Sequence, residues 1–146
     1  MHSQLLWTSA GERSFTVMLE PGEEPIAALT RFAIDRGLCV ASLTASGVFE
    51  RATLAWFDLR TQSYRPFEID RPCKALSLTG RIWSGDDVAP ILRIHAIVHL
   101  FDGTVRGGHL LKAVVRTSLE ATVVETRAAM RRRLRPETGI ALIAPA

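Results

Sequence analysis

Between Ile91 and His109 the chain reads ILRIHAIVHLFDGTVRGGH, two alternating runs joined at Asp102-Gly103. An Asp-Gly step between such runs is a strong hairpin signal. Strands Ile91–Leu100 and Val105–Val115 are therefore expected to pair. The period of two places Arg93, His95 and His99 on one face of the first strand. Leu92, Ile94, Ala96, Val98 and Leu100 fall on the other. One face is fully apolar and must lie on a core. The opposite face carries ionisable groups beside Ile97, and the stretch holds three of the four histidines. Any chemistry the chain performs is expected here.

The remaining sequence reads mostly as strands. Arg13–Glu20 is strand-like and stops at Pro21-Gly22. Glu23–Arg36 is the clearest helix, with Pro25 in its first turn, where a missing N–H is harmless. Ile26, Leu29 and Ala33, with Phe32 beside them, make an apolar stripe. Glu23 and Glu24 suit the positive end of the dipole, and Gly37 suits a left-handed stop. Cys39–Thr44 reads as a buried strand interrupted at Ala45-Ser46-Gly47. Arg51–Asp58, Tyr64–Ile69 and Ala75–Trp83 are further strands, and Ser84–Asp87 is a hairpin loop. Leu119–Leu134 is ambiguous: its Ala, Glu and Arg favour helix, its Thr and Val favour strand. Pro136–Gly139 reads as a turn and Ile140–Ile143 as a short last strand. The sum is one α+β domain over 1–146, core about 13–143, largely antiparallel with one main helix.

Composition narrows the classes. With 146 residues, 47% of them hydrophobic, the chain can bury a core and is not expected to be disordered. No apolar run approaches a membrane span, and the N-terminus lacks a signal-peptide pattern, so a cytoplasmic location is expected. Cys39 and Cys73 form no CxxC pair, and Cys39 reads as a buried small residue. The net charge of +3 is carried almost wholly by arginine, which permits nucleic-acid contact without demanding it.

Several short pieces occur in an order that carries a family resemblance. They are Pro21-Gly22-Glu23; Ala45-Ser46-Gly47 followed by Arg51-Ala52-Thr53-Leu54 and Phe57-Asp58; and Leu76-Ser77-Leu78-Thr79-Gly80. After these come His95-Ala96 with Asp102-Gly103 and Gly107-Gly108-His109-Leu110, and then Glu137-Thr138-Gly139-Ile140-Ala141-Leu142. In this order the chain resembles the PPC (plants and prokaryotes conserved) domain family from about Arg13 to Ile143. The resemblance implies a homotrimer of α+β domains and a strand over Leu119–Thr126. It also implies a stand-alone prokaryotic protein of regulatory or DNA-binding type. Plant members pair the domain with AT-hooks, but this chain has no Arg-Gly-Arg-Pro core.

Prokaryotic relatives often carry His-x-His on the first strand and Gly-Gly-His on the second, and some bind a metal there. Here the corresponding positions are Arg93, His95 and His109, with His99 in addition. The turn decides whether His95 and His109 meet. A two-residue turn sets Ala96 opposite His109 and separates the imidazoles. A three-residue loop, Asp102–Thr104, sets Ile97 opposite His109 with His95 on the diagonal, and a bulge at Gly107-Gly108 restores the same parity. A metal such as zinc held by His95 and His109 therefore needs an odd loop, a bulge or ligands from another subunit. Zinc usually takes three or four protein ligands, and a guanidinium repels it. Three readings stay open for the pair: metal ligands, hydrogen-bonded interface residues, or part of an anion pocket. In the last, Arg93 forks to a carboxylate or phosphate beside His99, Gly107 and Gly108.

Arg131, Arg132, Arg133 and Arg135 form the densest basic run. Such a run either tracks phosphates or makes a solvated strand edge. No phosphate loop, serine triad or paired catalytic carboxylate is legible. Three functions are thus carried forward. The first is a regulatory, DNA-binding protein. The second is a small-molecule site, including a metal-dependent enzyme of the kind seen in acetolactate decarboxylases, whose fold the family resembles. The third is a trimeric protein-interaction module.

Overall fold

The computed structural model describes residues 1–85, 88–126, 130–135 and 140–145, with side chains over 1–84 and 89–126. Its elements are β1 (His2–Ser9), β2 (Glu12–Leu19), α1 (Pro25–Arg36), β3 (Val40–Asp58), β4 (Ser63–Ile69) and β5 (Cys73–Gly85). They continue with β6 (Val88–His99), β7 (Val105–Glu125), β8 (Met130–Arg135) and β9 (Ile140–Pro145). Every pairing is antiparallel. The architecture is dominated by sheet, so α+β describes it only loosely.

Two long strands organise the molecule. β7 pairs with β3 along one edge; along the other it pairs first with β6 and later with β2. β3 pairs with β7 on one edge and with β5 and then β4 on the other. The order β7–β6–β5–β3 therefore returns to β7 and closes a ring. β1 and β2 extend it at one end and β4 at the other. β8 and β9 form a separate two-stranded sheet.

The inner face is apolar because alternation puts it there. Ile94, Ala96 and Val98 of β6 and Leu100 just beyond it are buried, as are Leu78 and Ile82 of β5 and Leu110, Val115 and Leu119 of β7. Leu29, Phe32 and Ala33 of α1 join this core, with Phe32 edge-on to Phe15 at 5.3 Å between ring centroids. Fully burying one such side chain stabilises by about 1.5–3 kcal/mol. Glu24 caps the helix, accepting from the backbone N–H of Ile26 at 3.2 Å and Ala27 at 2.7 Å. Gly37 ends it in the left-handed conformation, φ 59°.

Several expectations need correction. The break expected at Ala45–Gly47 is a register shift inside one continuous β3. The extra residue is absorbed as a bulge while pairing resumes beyond it. Cys39 is exposed, because it precedes β3 beside the helix stop; Cys73 is the buried thiol. Trp56 is 54% exposed near the end of β3 and so is no part of the core. β1 has no counterpart in the sequence reading. The ambiguous segment divides: β7 runs to Glu125, and Met130–Arg135 is β8. The turn expected at Pro136–Gly139 and the aspartates of the Ser84–Asp87 loop lie outside the described residues. Among the described residues no helix is long and apolar enough to cross a membrane.

Candidate functional site

The β6–β7 hairpin closes at Leu100, whose N–H donates to the Thr104 carbonyl at 2.9 Å. The loop is Phe101-Asp102-Gly103, with Gly103 left-handed at φ 81° and Asp102 accepting from the Thr104 N–H and hydroxyl. Three loop residues give the odd count that brings the histidines onto one face. The loop begins one residue earlier than Asp102–Thr104, and this sets the register. Ile97 faces Gly107, and His95 faces His109 directly rather than diagonally.

The imidazole centroids of His95 and His109 lie 4.7 Å apart with planes at 81°. Both project outward from the ring: inward-facing Ile94, Ala96 and Leu110 are buried, whereas His95 is exposed and His109 half-buried. Tyr64 of β4 covers the far side of His109, with rings 4.9 Å apart, and itself meets Phe57 at 5.1 Å. The sequence reading missed Tyr64. It is the chain's sole tyrosine, but nothing local linked β4 to a hairpin some forty residues later.

Burial under Tyr64 disfavours the protonated imidazole, and the charges of His95 and Arg93 add to this. The pKa of His109 falls from 6.5 to about 4. At neutral pH it is an uncharged ring with one donor and one acceptor nitrogen. Arg93 lies two residues before His95 on the same face. It stands directly opposite Arg81 of β5, while His95 stands opposite Thr79. A single register row runs round the ring: Thr16, Thr122, Thr44, Thr79, His95, His109 and Ala55.

The other sequence candidates scatter. His99 is four residues along β6, about 13 Å away, opposite Lys74 and Val105. Gly107 is on the outer row facing Ile97. Gly108 has a packing role: a Cβ there would sit 2.7 Å from the Ala55 carbonyl oxygen, so β3 and β7 approach closely only with glycine. Arg131, Arg132, Arg133 and Arg135 lie in β8, and their side chains are outside the described residues.

The donor set can be tested against a metal. Among the described residues no group of three His, Cys, Asp or Glu comes together. His95 and His109 supply two nitrogens, and the third position is the cationic Arg93. These residues alone do not make a zinc shell. They do make a surface with one fixed positive charge and two imidazoles, suited to polar recognition of an anion.

Solved structures resemble this fold over nearly its whole length. A protein from Ralstonia eutropha JMP134, provisionally described as DNA-binding, superposes with TM-score 0.83 at 24% identity, covering 97% of this chain and 96% of that one. A metal-containing protein from Archaeoglobus fulgidus superposes with TM-score 0.80 at 29% identity, covering 88% and 91%. Acetolactate decarboxylase from Bacillus subtilis subspecies spizizenii is more distant, with TM-score 0.56 and 11% identity; this chain spans 52% of it, and the likeness is one of fold alone. No curated protein matches the sequence. The profile of the Plants and Prokaryotes Conserved (PCC) domain matches residues 8–127, and the chain belongs to that family.

Proposed function

We propose that this protein binds a small anionic ligand on the outer face of the β6–β7 hairpin. In this reading Arg93 supplies the charge, and His95 and His109 supply directed hydrogen bonds. The observation that carries it is the direct pairing of His95 with His109, rings 4.7 Å apart, on the face that also bears Arg93. A neutral His109 is cheap to bring beside a guanidinium, whereas a protonated one would repel it. The homotrimer implied by the family resemblance is the assembly we propose, and sedimentation equilibrium reads it directly.

The test is a titration with acetate, the simplest carboxylate probe, followed by NMR of the histidine rings. Both ring signals are expected to move with one affinity, and the apparent pKa of His109 should rise as the anion screens Arg93. Arg93→Gln should abolish both effects. Ring signals indifferent to acetate up to molar concentration would refute the reading.

A second reading, association with DNA, is favoured by the description of the Ralstonia protein and by the net charge of +3. It predicts binding that weakens steeply with salt and is lost on charge reversal at Arg131–Arg133. Binding indifferent to both would eliminate it.

A further inference from the structure

We propose that Arg81, so far unassigned, works with Arg93 as a two-armed clamp for a doubly charged oxyanion, specifically a phosphoryl group. The inference rests on the anion reading above and names its ligand class. Arg81 and Arg93 are direct cross-strand partners on β5 and β6. Like charges placed opposite one another in a sheet repel, so a fold gains nothing from this pair on its own. Three arginines elsewhere are answered by carboxylates. Arg13 is paired with Glu125, Arg65 with Asp58 and Arg116 with Glu50. Among the described residues, no ion pair serves Arg81 or Arg93.

The neighbouring pair in the ladder adds further donors. Thr79 and His95 face each other one outward position along from Arg81 and Arg93, and Ser42 of β3 faces Arg81 from the other side. Two guanidiniums, two hydroxyls and an imidazole thus occupy adjoining positions on three strands. By backbone spacing the Arg81, Arg93, Thr79 and His95 positions lie within about 5–8 Å of one another, and Ser42 lies about 10–12 Å from the two on β6. All can donate, and guanidinium forks match the oxygens of phosphate. Two fixed charges suit a phosphate monoester, which carries about −1.5 to −2 at neutral pH. A monocarboxylate leaves one guanidinium unanswered, and so does each phosphodiester of nucleic acid.

Calorimetric titrations at constant ionic strength test this on the full chain. The probes are inorganic phosphate, methyl phosphate, dimethyl phosphate and acetate. The dianions should bind at least about tenfold more tightly than the two monoanions, the scale of one lost charged hydrogen bond. Arg81→Gln should remove that preference while leaving acetate affinity within about twofold, since Arg93 remains. If Arg81→Gln does not fold, Arg81→Lys, which keeps charge and loses the fork, should weaken phosphate binding in the same sense. Methyl phosphate binding better than inorganic phosphate would identify a phosphorylated small molecule, and the reverse order free phosphate; either supports the clamp. Acetate binding with no dianion preference, unchanged in either Arg81 variant, overturns the clamp and spares the anion site. Absence of binding by all four probes overturns both. Dimethyl phosphate and duplex DNA binding as tightly as methyl phosphate also overturns it, in favour of a nucleic-acid backbone.

Discussion

Replacing His109 by glutamine removes the one imidazole whose proton affinity the fold strongly suppresses, and the consequence is a change in how stability depends on pH. Burial beneath Tyr64, with His95 and Arg93 nearby, lowers its pKa from 6.5 to about 4. The unfolded chain takes up this proton near pH 6.5; the folded chain resists until about pH 4. Over that window the unfolded state binds more protons, so stability rises with pH and falls as the solution is acidified. At about 1.4 kcal/mol per tenfold change in proton affinity, the ceiling is about 3 kcal/mol. His109 is half-buried, and solvent screening brings the expected value to about 1–2 kcal/mol. Glu23, Asp58 and Asp102 also have lowered pKa values. Their protonation costs stability in the same direction at lower pH, so the comparison must be with the variant. Urea denaturation of wild type and His109→Gln between pH 4.5 and 7.5 reads the difference. Wild type should lose about 1–2 kcal/mol more than the variant on acidification. Parallel curves, or a His109 ring that titrates near 6.5, would refute the reasoning.

Gly108→Ala should destabilise by about 1–3 kcal/mol, because its Cβ would meet the Ala55 carbonyl; Gly107→Ala, with ordinary van der Waals room at 3.5 Å, should stay within about 0.5 kcal/mol in the same urea assay. Arg13→Ala strips the two hydrogen bonds that Glu125 accepts, at 2.5 and 2.9 Å. It leaves a buried carboxylate without its cation and should cost about 1–3 kcal/mol; an unchanged urea midpoint would contradict this. Excess zinc should move the melting temperature by no more than about 1 °C, since His95 and His109 fall short of a shell; a rise of several degrees that His95→Ala abolishes would show that the missing ligands come from elsewhere.

The β6–β7 hairpin was legible because two local signals agree there: alternation that buries Ile94, Ala96 and Val98, and an Asp-Gly step in the loop. Its register was not, since a loop starting at Phe101 or Asp102 satisfies the same signals and shifts every cross-strand partner. Helix α1 was placed to within two residues because cap, stripe and stop coincide. β1 escaped notice for a physical reason: Leu5, Leu6 and Trp7 are all exposed, so no buried face imposes a period. Its turn, Ala10-Gly11, puts alanine at φ 48° where glycine or asparagine is usual. β3 is one strand because Gly47 lies against Ser118 and Leu119 of β7, a long-range contact no local pattern encodes. The same limit hid Tyr64, which reaches His109 only through the β3–β7 pairing that closes the ring. Arg81 is set opposite Arg93 by the neighbouring strands β5 and β6, whose register the sequence pattern alone did not fix.

The most direct test of the account is whether His95 and His109 answer to one ligand through Arg93. Ring-detected NMR during an acetate titration should show both imidazoles shifting along a single binding curve in the wild type and neither shifting in Arg93→Gln. Two rings that respond with different affinities, or that respond equally well without Arg93, would contradict a common anion site.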